Sequence, residues 1–325
     1  MRTEREMMDL IIGVANGDDR IRAAYMNGSR TNPSAPNDNF QDYDVVYVVT
    51  ETKSFVNDKG WPLKFGNPLI VQEPDWNDNQ WAEIGSGVGN RDGAGGADGT
   101  RDAAGAHDIV GIVCNAAAAG QKHDFTRRYA WLMLFDDGNR IDLGVELLDE
   151  ALKNFLDDKL TLTLLDKDGV LPRILPPTDV DYRIKPPTEG RFIASCNEFW
   201  WCLNNVAKGI ARDEPSYTMY MLNEIVRAEL HNMIDWHIGV CTDFTVSAGK
   251  NGKYYKRYLP PNLYERFTAT YSGAGRTDVW AAVRTMCDLF RQLALDVAAG
   301  LGFTYRQHEE DGMRRYLSMV ESGVI

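Results

Sequence analysis

Apolar side chains at Met7, Leu10, Ile11 and Val14 recur at intervals of three and four, which predicts an amphipathic helix over residues 3–16. The period then shortens. Ile21 to Met26 reads as a strand that Gly28 ends, with Ser29 and Arg30 in the turn. Thr31 to Gln41 is rich in Asn, Pro, Ser and Asp and predicts a loop. The β-branched and aromatic run Val45-Val46-Tyr47-Val48-Val49 predicts a buried strand that opens at Asp42 and Asp44. Residues 60–72 show no clear period. Further on, Trp131 to Phe135 and Arg140 to Val145 predict two strands joined by the turn Asp136-Asp137-Gly138-Asn139, and Leu147 to Leu156 a short helix or turn.

From Phe192 onward the period is helical throughout. Phe192, Cys196, Phe199, Leu203, Val206 and Ile210 form one apolar stripe, and Leu222, Val226, Leu230 and Met233 form another after Pro215. Val279 to Leu301 and Met313 to Val320 predict two more helices. Two interruptions divide the pattern. Residues 84–121 are low in complexity, rich in Gly, Ala and Asp, and predict a long surface insertion with a local strand at 109–113. Residues 171–190 are rich in proline and read as a connection. The expected class is α+β: a mixed β-sheet with flanking helices over residues 1–170, then a helical bundle over 191–325.

Composition narrows the chemistry. A net charge of −12 opposes binding to a phosphate backbone and suits a small cationic substrate, although solubility alone accounts equally well for an acidic surface. No apolar run approaches the roughly 20 residues that span a bilayer. The charged N-terminus lacks the apolar stretch and cleavage site of a signal peptide. The five cysteines form no CxxC pair. A cytoplasmic monomer, with neither nucleic acid nor membrane as partner, is expected.

The chemistry-bearing residues gather at the strand openings. Side chains alternate faces along a strand, so Asp42 and Asp44 point one way and Tyr43 the other. Two hard oxygen donors beside a Gly28-Ser29-Arg30 turn suit a divalent cation and a triphosphate. Gly28 permits close approach, Ser29 offers its hydroxyl and N–H, and Arg30 offers a guanidinium to a phosphate. Asp142 joins the pair if its strand lies beside theirs. It would then be the base that deprotonates an attacking hydroxyl, or a ligand to a second metal. The helical half offers Glu198 and Trp200, with Trp201, Glu229 and Asp235, to a cationic substrate, and Lys208 and Lys250 to a triphosphate. For the tryptophans and acids a core or ion-pair role is the competing expectation, and for the lysines a solvated basic face.

Gly28-Ser29-Arg30, Gln41-Asp42-Tyr43-Asp44, Leu132 to Asp137, Arg140-Ile141-Asp142-Leu143, Pro177 to Tyr182, Cys196-Asn197-Glu198-Phe199-Trp200 and Ile225-Val226-Arg227 carry a resemblance. Together they resemble the aminoglycoside 6-adenylyltransferases of the nucleotidyltransferase superfamily. The likeness spans nearly the whole chain except the 84–121 segment, which the family pattern does not include. It implies a nucleotidyltransferase-like sheet, ATP as co-substrate, Mg²⁺ held by Asp42 and Asp44, and AMP transfer to the 6-hydroxyl of streptomycin with release of pyrophosphate. It places Asp142 in the site, with the base role favoured because Asp42 and Asp44 are committed to metal. Two other functions stay open: nucleotidylation of another small alcohol or a protein, and binding of a cationic ligand without catalysis.

Overall fold

The structure, a computed structural model, describes residues 1–75 and 125–325. The expected insertion at 84–121 and its local strand lie outside the described residues. The chain divides into two compact units, Met1–Asp181 and Tyr182–Ile325, a division that falls within the proline-rich 171–190 segment.

The first unit is built on a mixed sheet of six strands among the described residues. These are β1 (Ile21–Asn27), β2 (Tyr43–Val49), β3 (Pro68–Gln72), β4 (Arg128–Phe135), β5 (Arg140–Leu147) and β6 (Leu162–Asp166), in the order β3-β4-β5-β2-β1-β6. Only β2 and β5 run parallel; the other neighbours are antiparallel. Strand alternation sorts the side chains onto two faces. Tyr43, Val45, Tyr47 and Val49 of β2 join Ile141, Leu143 and Val145 of β5 in a core covered by Met7 and Ile11 of α1 (Glu4–Asn16) and by Trp61 and Phe65 of a 3₁₀ turn. Val46 and Val48 face the other way. They pack with Ala23 and Tyr25 under Ala151 and Phe155 of α3 (Leu148–Asp157). Each fully buried large apolar side chain contributes about 1.5–3 kcal/mol relative to exposure, so the register that buries both sets is strongly favoured.

The helix at the N-terminus starts where its cap dictates. Thr3 accepts from the Glu6 N–H while Glu6 accepts from the Thr3 N–H, a reciprocal capping box. The hairpin of β4 and β5 forms as the sequence predicts, with Gly138 at φ +84° in its turn. Three short elements lacked a readable period. These are α2 (Lys53–Asn57), β3 and β6. Both strands lie at the sheet's edges, and Leu69, Ile70 and Leu162 are exposed, so no alternation of buried and polar residues marks them.

The second unit is helical among its described residues. Its members are α4 (Glu189–Ala211), α5 (Pro215–Tyr220), α6 (Arg227–Cys241), α7 (Tyr255–Tyr258), α8 (Pro261–Thr268), α9 (Arg276–Leu301) and α10 (Gln307–Glu321). Thr188 caps α4 through its hydroxyl, which accepts from the Arg191 N–H. The stripe Phe192, Cys196, Phe199, Leu203, Val206 and Ile210 is buried as predicted, and Phe199 stacks on Phe290 of α9 with ring centroids 3.6 Å apart. Between α5 and α6 the chain passes through one π-helical segment, Met221–Val226, so the helix continues with a shifted register.

Candidate active site

The parallel pairing of β2 with β5 sets Asp44 directly opposite Asp142. Alternation puts Asp42 on the same face, and the ligand atoms of Asp42, Asp44 and Asp142 all lie within 4.8 Å of one another. Asp142 is fully buried, Asp44 nearly so, and Asp42 half-buried. Anionic oxygens gathered in so little water repel one another unless a cation shares them.

In the structure Arg140 supplies that charge. Its Nε donates to Asp142 Oδ1 at 2.8 Å and its Nη2 to Oδ2 at 2.5 Å, a two-pronged pairing, while Nη1 stands 3.8 Å from Asp42 Oδ2. These hydrogen bonds to Asp142 hold the Arg140 guanidinium above its ordinary pKa, against the opposing effect of burial. The donor set fits a hard divalent cation: carboxylate oxygens only, and convergent.

Gly28 closes the other side of the cluster. Its φ of +80° lies in the left-handed region. A Cβ built there would stand 2.0 Å from Asp44 Oδ2, so the carboxylate rests against the glycine's α-carbon. The turn is tied down from several directions. The Thr31 hydroxyl lies 2.9 Å from the Gly28 carbonyl oxygen, and Gln41 Nε2 donates to the Ser29 carbonyl at 3.1 Å.

Arg30 has a different place from the phosphate contact expected of it. It donates to the carbonyls of Gln41 and Asp42 and lies 3.9 Å over the Tyr43 ring. Its guanidinium therefore fastens the loop to the opening of β2, on the side away from the carboxylates. Arg140 is the residue the sequence reading missed. The alternation that selects Asp142 also selects position 140, so the signal was present.

The candidates in the helical unit separate into surface and core. Glu198 is exposed and accepts from the Cys202 thiol at 3.1 Å. Trp200 is 2% exposed, donates from Nε1 to Tyr305 Oη at 3.0 Å, and packs edge-on against Phe199 and Phe290. It is a core residue, whereas its neighbour Trp201 is 64% exposed. Glu229 is partly buried and accepts from Ser195 and Asn232. Asp235 accepts from Tyr255 Oη at 2.7 Å, and burial pushes its carboxyl up to about 6. Lys208 is half-buried in the last turn of α4, and Lys250 is exposed.

A mixed sheet that presents three convergent aspartates beside a glycine-serine turn has the parts that a nucleotidyltransferase needs. The chain belongs to the streptomycin adenylyltransferase family, whose model matches residues 1–88 and 110–320. It is 35% identical over 317 residues to an aminoglycoside 6-adenylyltransferase of Bacillus subtilis (strain 168), covering 97% of each chain. It is also 35% identical over 313 residues to the Campylobacter jejuni protein of that name, covering 95% of this chain and 93% of the other. A Staphylococcus aureus relative with the same name is 28% identical over 312 residues. A solved structure, described as an aminoglycoside 6-adenyltransferase from Bacillus subtilis, aligns over 99% of each chain at 30% identity with a TM-score of 0.43. No helix among the described residues is long and apolar enough to cross a membrane.

Proposed function

We propose that this protein transfers AMP from ATP to the 6-hydroxyl of streptomycin, releasing pyrophosphate in a Mg²⁺-dependent reaction that inactivates the antibiotic. The observation that carries this reading is the grouping of Asp42, Asp44 and Asp142 beside Gly28 and Ser29, in a chain of this family. The names of its relatives support an aminoglycoside acceptor modified at position 6.

The geometry of the first unit supports the roles of its residues. Asp42, Asp44 and Asp142 would hold Mg²⁺, which when bound neutralises charge on the phosphoryl oxygens. Asp142 is counted with the ligands because its carboxylate lies within 4.8 Å of those of Asp42 and Asp44. Gly28 lets a phosphate approach the backbone, and Ser29 donates to it from its hydroxyl and N–H. Streptomycin carries guanidinium groups, for which Glu198 offers a carboxylate and Trp201 an exposed ring.

The test is pyrophosphate release from ATP and Mg²⁺ across a panel of aminoglycosides. Release with streptomycin alone supports the proposal. Release only with a different acceptor moves the substrate, and binding of streptomycin without release makes the protein a sequestering one. Asp42→Asn and Asp44→Asn should each abolish transfer while circular dichroism and unfolding stay close to wild type.

A further inference from the structure

Resting on the adenylyl-transfer reading above, we propose that Glu146 is a catalytic residue whose carboxylate takes the proton of the acceptor hydroxyl as that oxygen bonds to the α-phosphorus.

The placement comes from β5 itself. Ile141, Leu143 and Val145 enter the core, so Asp142, Gly144 and Glu146 share the opposite face. Gly144 is the gap between the two acids. A Cβ built on it would lie 3.9 Å from Glu146 Oε1, so the Glu146 side chain leans back along the strand, over Gly144 and towards Asp142. The cross-strand partner of Gly144 on β4 is Ala130, another small residue, which keeps this stretch of the face low.

Strand order then decides which side of the cluster Glu146 serves. Going across the sheet, β1 with the Gly28-Ser29 turn lies beyond Asp44, and β4 lies beyond Asp142. A triphosphate seated on the Gly28 turn directs its pyrophosphate to the β1 side. In-line displacement requires the attacking oxygen to arrive from the opposite side, over β5 and β4. Glu146 Oε1 leans over Gly144 in that direction, beside Val46 Cγ2, which would lie 3.6 Å from a Cβ at Gly144. The step balances. The hydroxyl oxygen forms its bond to the α-phosphorus, its proton passes to Glu146 Oε1, and the bond to pyrophosphate breaks with its electron pair leaving on pyrophosphate.

The surroundings suit a proton acceptor. Glu146 makes no ion pair among the described residues, and its hydrogen bond there is a long one from Asn154 Nδ2 of α3 at 3.5 Å. Arg128 on β4 faces it as the cross-strand partner. Glu150 of α3, Asp75 and Tyr25 of β1 are the other titratable groups that act on it or feel its charge. The Tyr25 hydroxyl is buried with no hydrogen-bond partner among the described residues. Burial pushes the Glu146 carboxyl up to about 7, with Glu150 and Asp75 adding to the rise and Arg128 and Asn154 opposing it. A base serves best when its pKa lies near the working pH. Asp42, Asp44 and Asp142 are taken up by cation binding, which leaves the proton to a fourth acid.

The test compares wild type, Glu146→Gln and Glu146→Asp in AMP transfer to streptomycin over roughly pH 5 to 9. Wild type should lose kcat on the acid side with a midpoint near Glu146's own value. Glu146→Gln should lower kcat by about 10²–10⁴-fold, leave KM for ATP unchanged and abolish that acid limb. Glu146→Asp keeps a carboxylate but draws it back, so it should retain the limb at reduced kcat. It also serves if the Gln variant does not fold. An active wild type whose Gln or Asp variant keeps full kcat and an unaltered pH profile overturns the assignment while the adenylyl-transfer reading stands. A wild type that transfers AMP to no aminoglycoside overturns both.

Discussion

Replacing Gly28 with alanine separates what the backbone demands from what the carboxylate cluster demands. Gly28 sits at φ +80°, where any L side chain costs about 1–2 kcal/mol. Gly169 sits at φ +66°, so alanine there carries a comparable backbone cost, but an added Cβ meets nothing within 4 Å. At Gly28 the new carbon would stand 2.0 Å from Asp44 Oδ2 and 2.9 Å from its Cγ, where ordinary contact begins at 3.4 Å. The Asp44 carboxylate must therefore retreat by about 1 Å or more, and a displacement of that size in a reacting site costs about 10²-fold in rate. Both variants should lose about 1–2 kcal/mol in urea-induced unfolding. Only Gly28→Ala should also lose AMP transfer, by about 10²-fold, together with Mn²⁺ affinity measured by calorimetric titration. If Gly28→Ala matched Gly169→Ala in both transfer and Mn²⁺ binding, the tight seating of Asp44 against the turn would be refuted.

Three further perturbations probe the same architecture. Arg140→Met removes the resident cation from Asp142, and divalent-ion binding should tighten because the ion no longer competes with a guanidinium. The metal-free protein should lose about 1–3 kcal/mol, less than for a fully buried pair because Arg140 is 41% exposed; unchanged or weaker Mn²⁺ affinity would refute this. Trp200→Ala should destabilise the protein by about 3–5 kcal/mol, whereas Trp201→Ala should leave stability nearly unchanged and raise KM for streptomycin; urea unfolding and initial rates distinguish the two. Asp235 has a folded-state pKa of about 6, raised by burial, so its ionisation costs nothing below about pH 4 and its full amount above about pH 6. Asp235→Asn should therefore gain stability relative to wild type as pH rises through that window, on the order of 2–3 kcal/mol, and a pH-independent difference in urea titrations would refute the assignment.

Local periodicity was sufficient for much of the chain. The alternation of β2 put Asp42 and Asp44 on one face without any tertiary information, because that geometry is a property of a single strand. The stripe of α4 was equally legible. Applied one position further, it places Trp200 beside Cys196, Phe199 and Leu203 and turns Trp201 outward, so the core role of Trp200 could have been read from spacing. Glu146 was missed for a simpler reason. The predicted strand stopped at Val145, whereas β5 runs to Leu147 and carries the alternation on to Glu146. The edge strands β3 and β6 had no such signal, since their apolar residues lie at the surface.

By itself, the sequence determined the pair Asp42 and Asp44, the turn at Gly28, the β4–β5 hairpin and the helical stripes. Each of these depends on residues close together in the chain. Only the tertiary structure decided that β5 lies parallel to β2 with Asp142 opposite Asp44, because pairing between distant strands is set by packing on both faces of the sheet. Tertiary structure alone also decided that Arg30 fastens its loop to the opening of β2, and that Glu146 leans over Gly144 towards the aspartates. Strand alternation fixes which face a side chain occupies, and burial among particular neighbours fixes what it can do there.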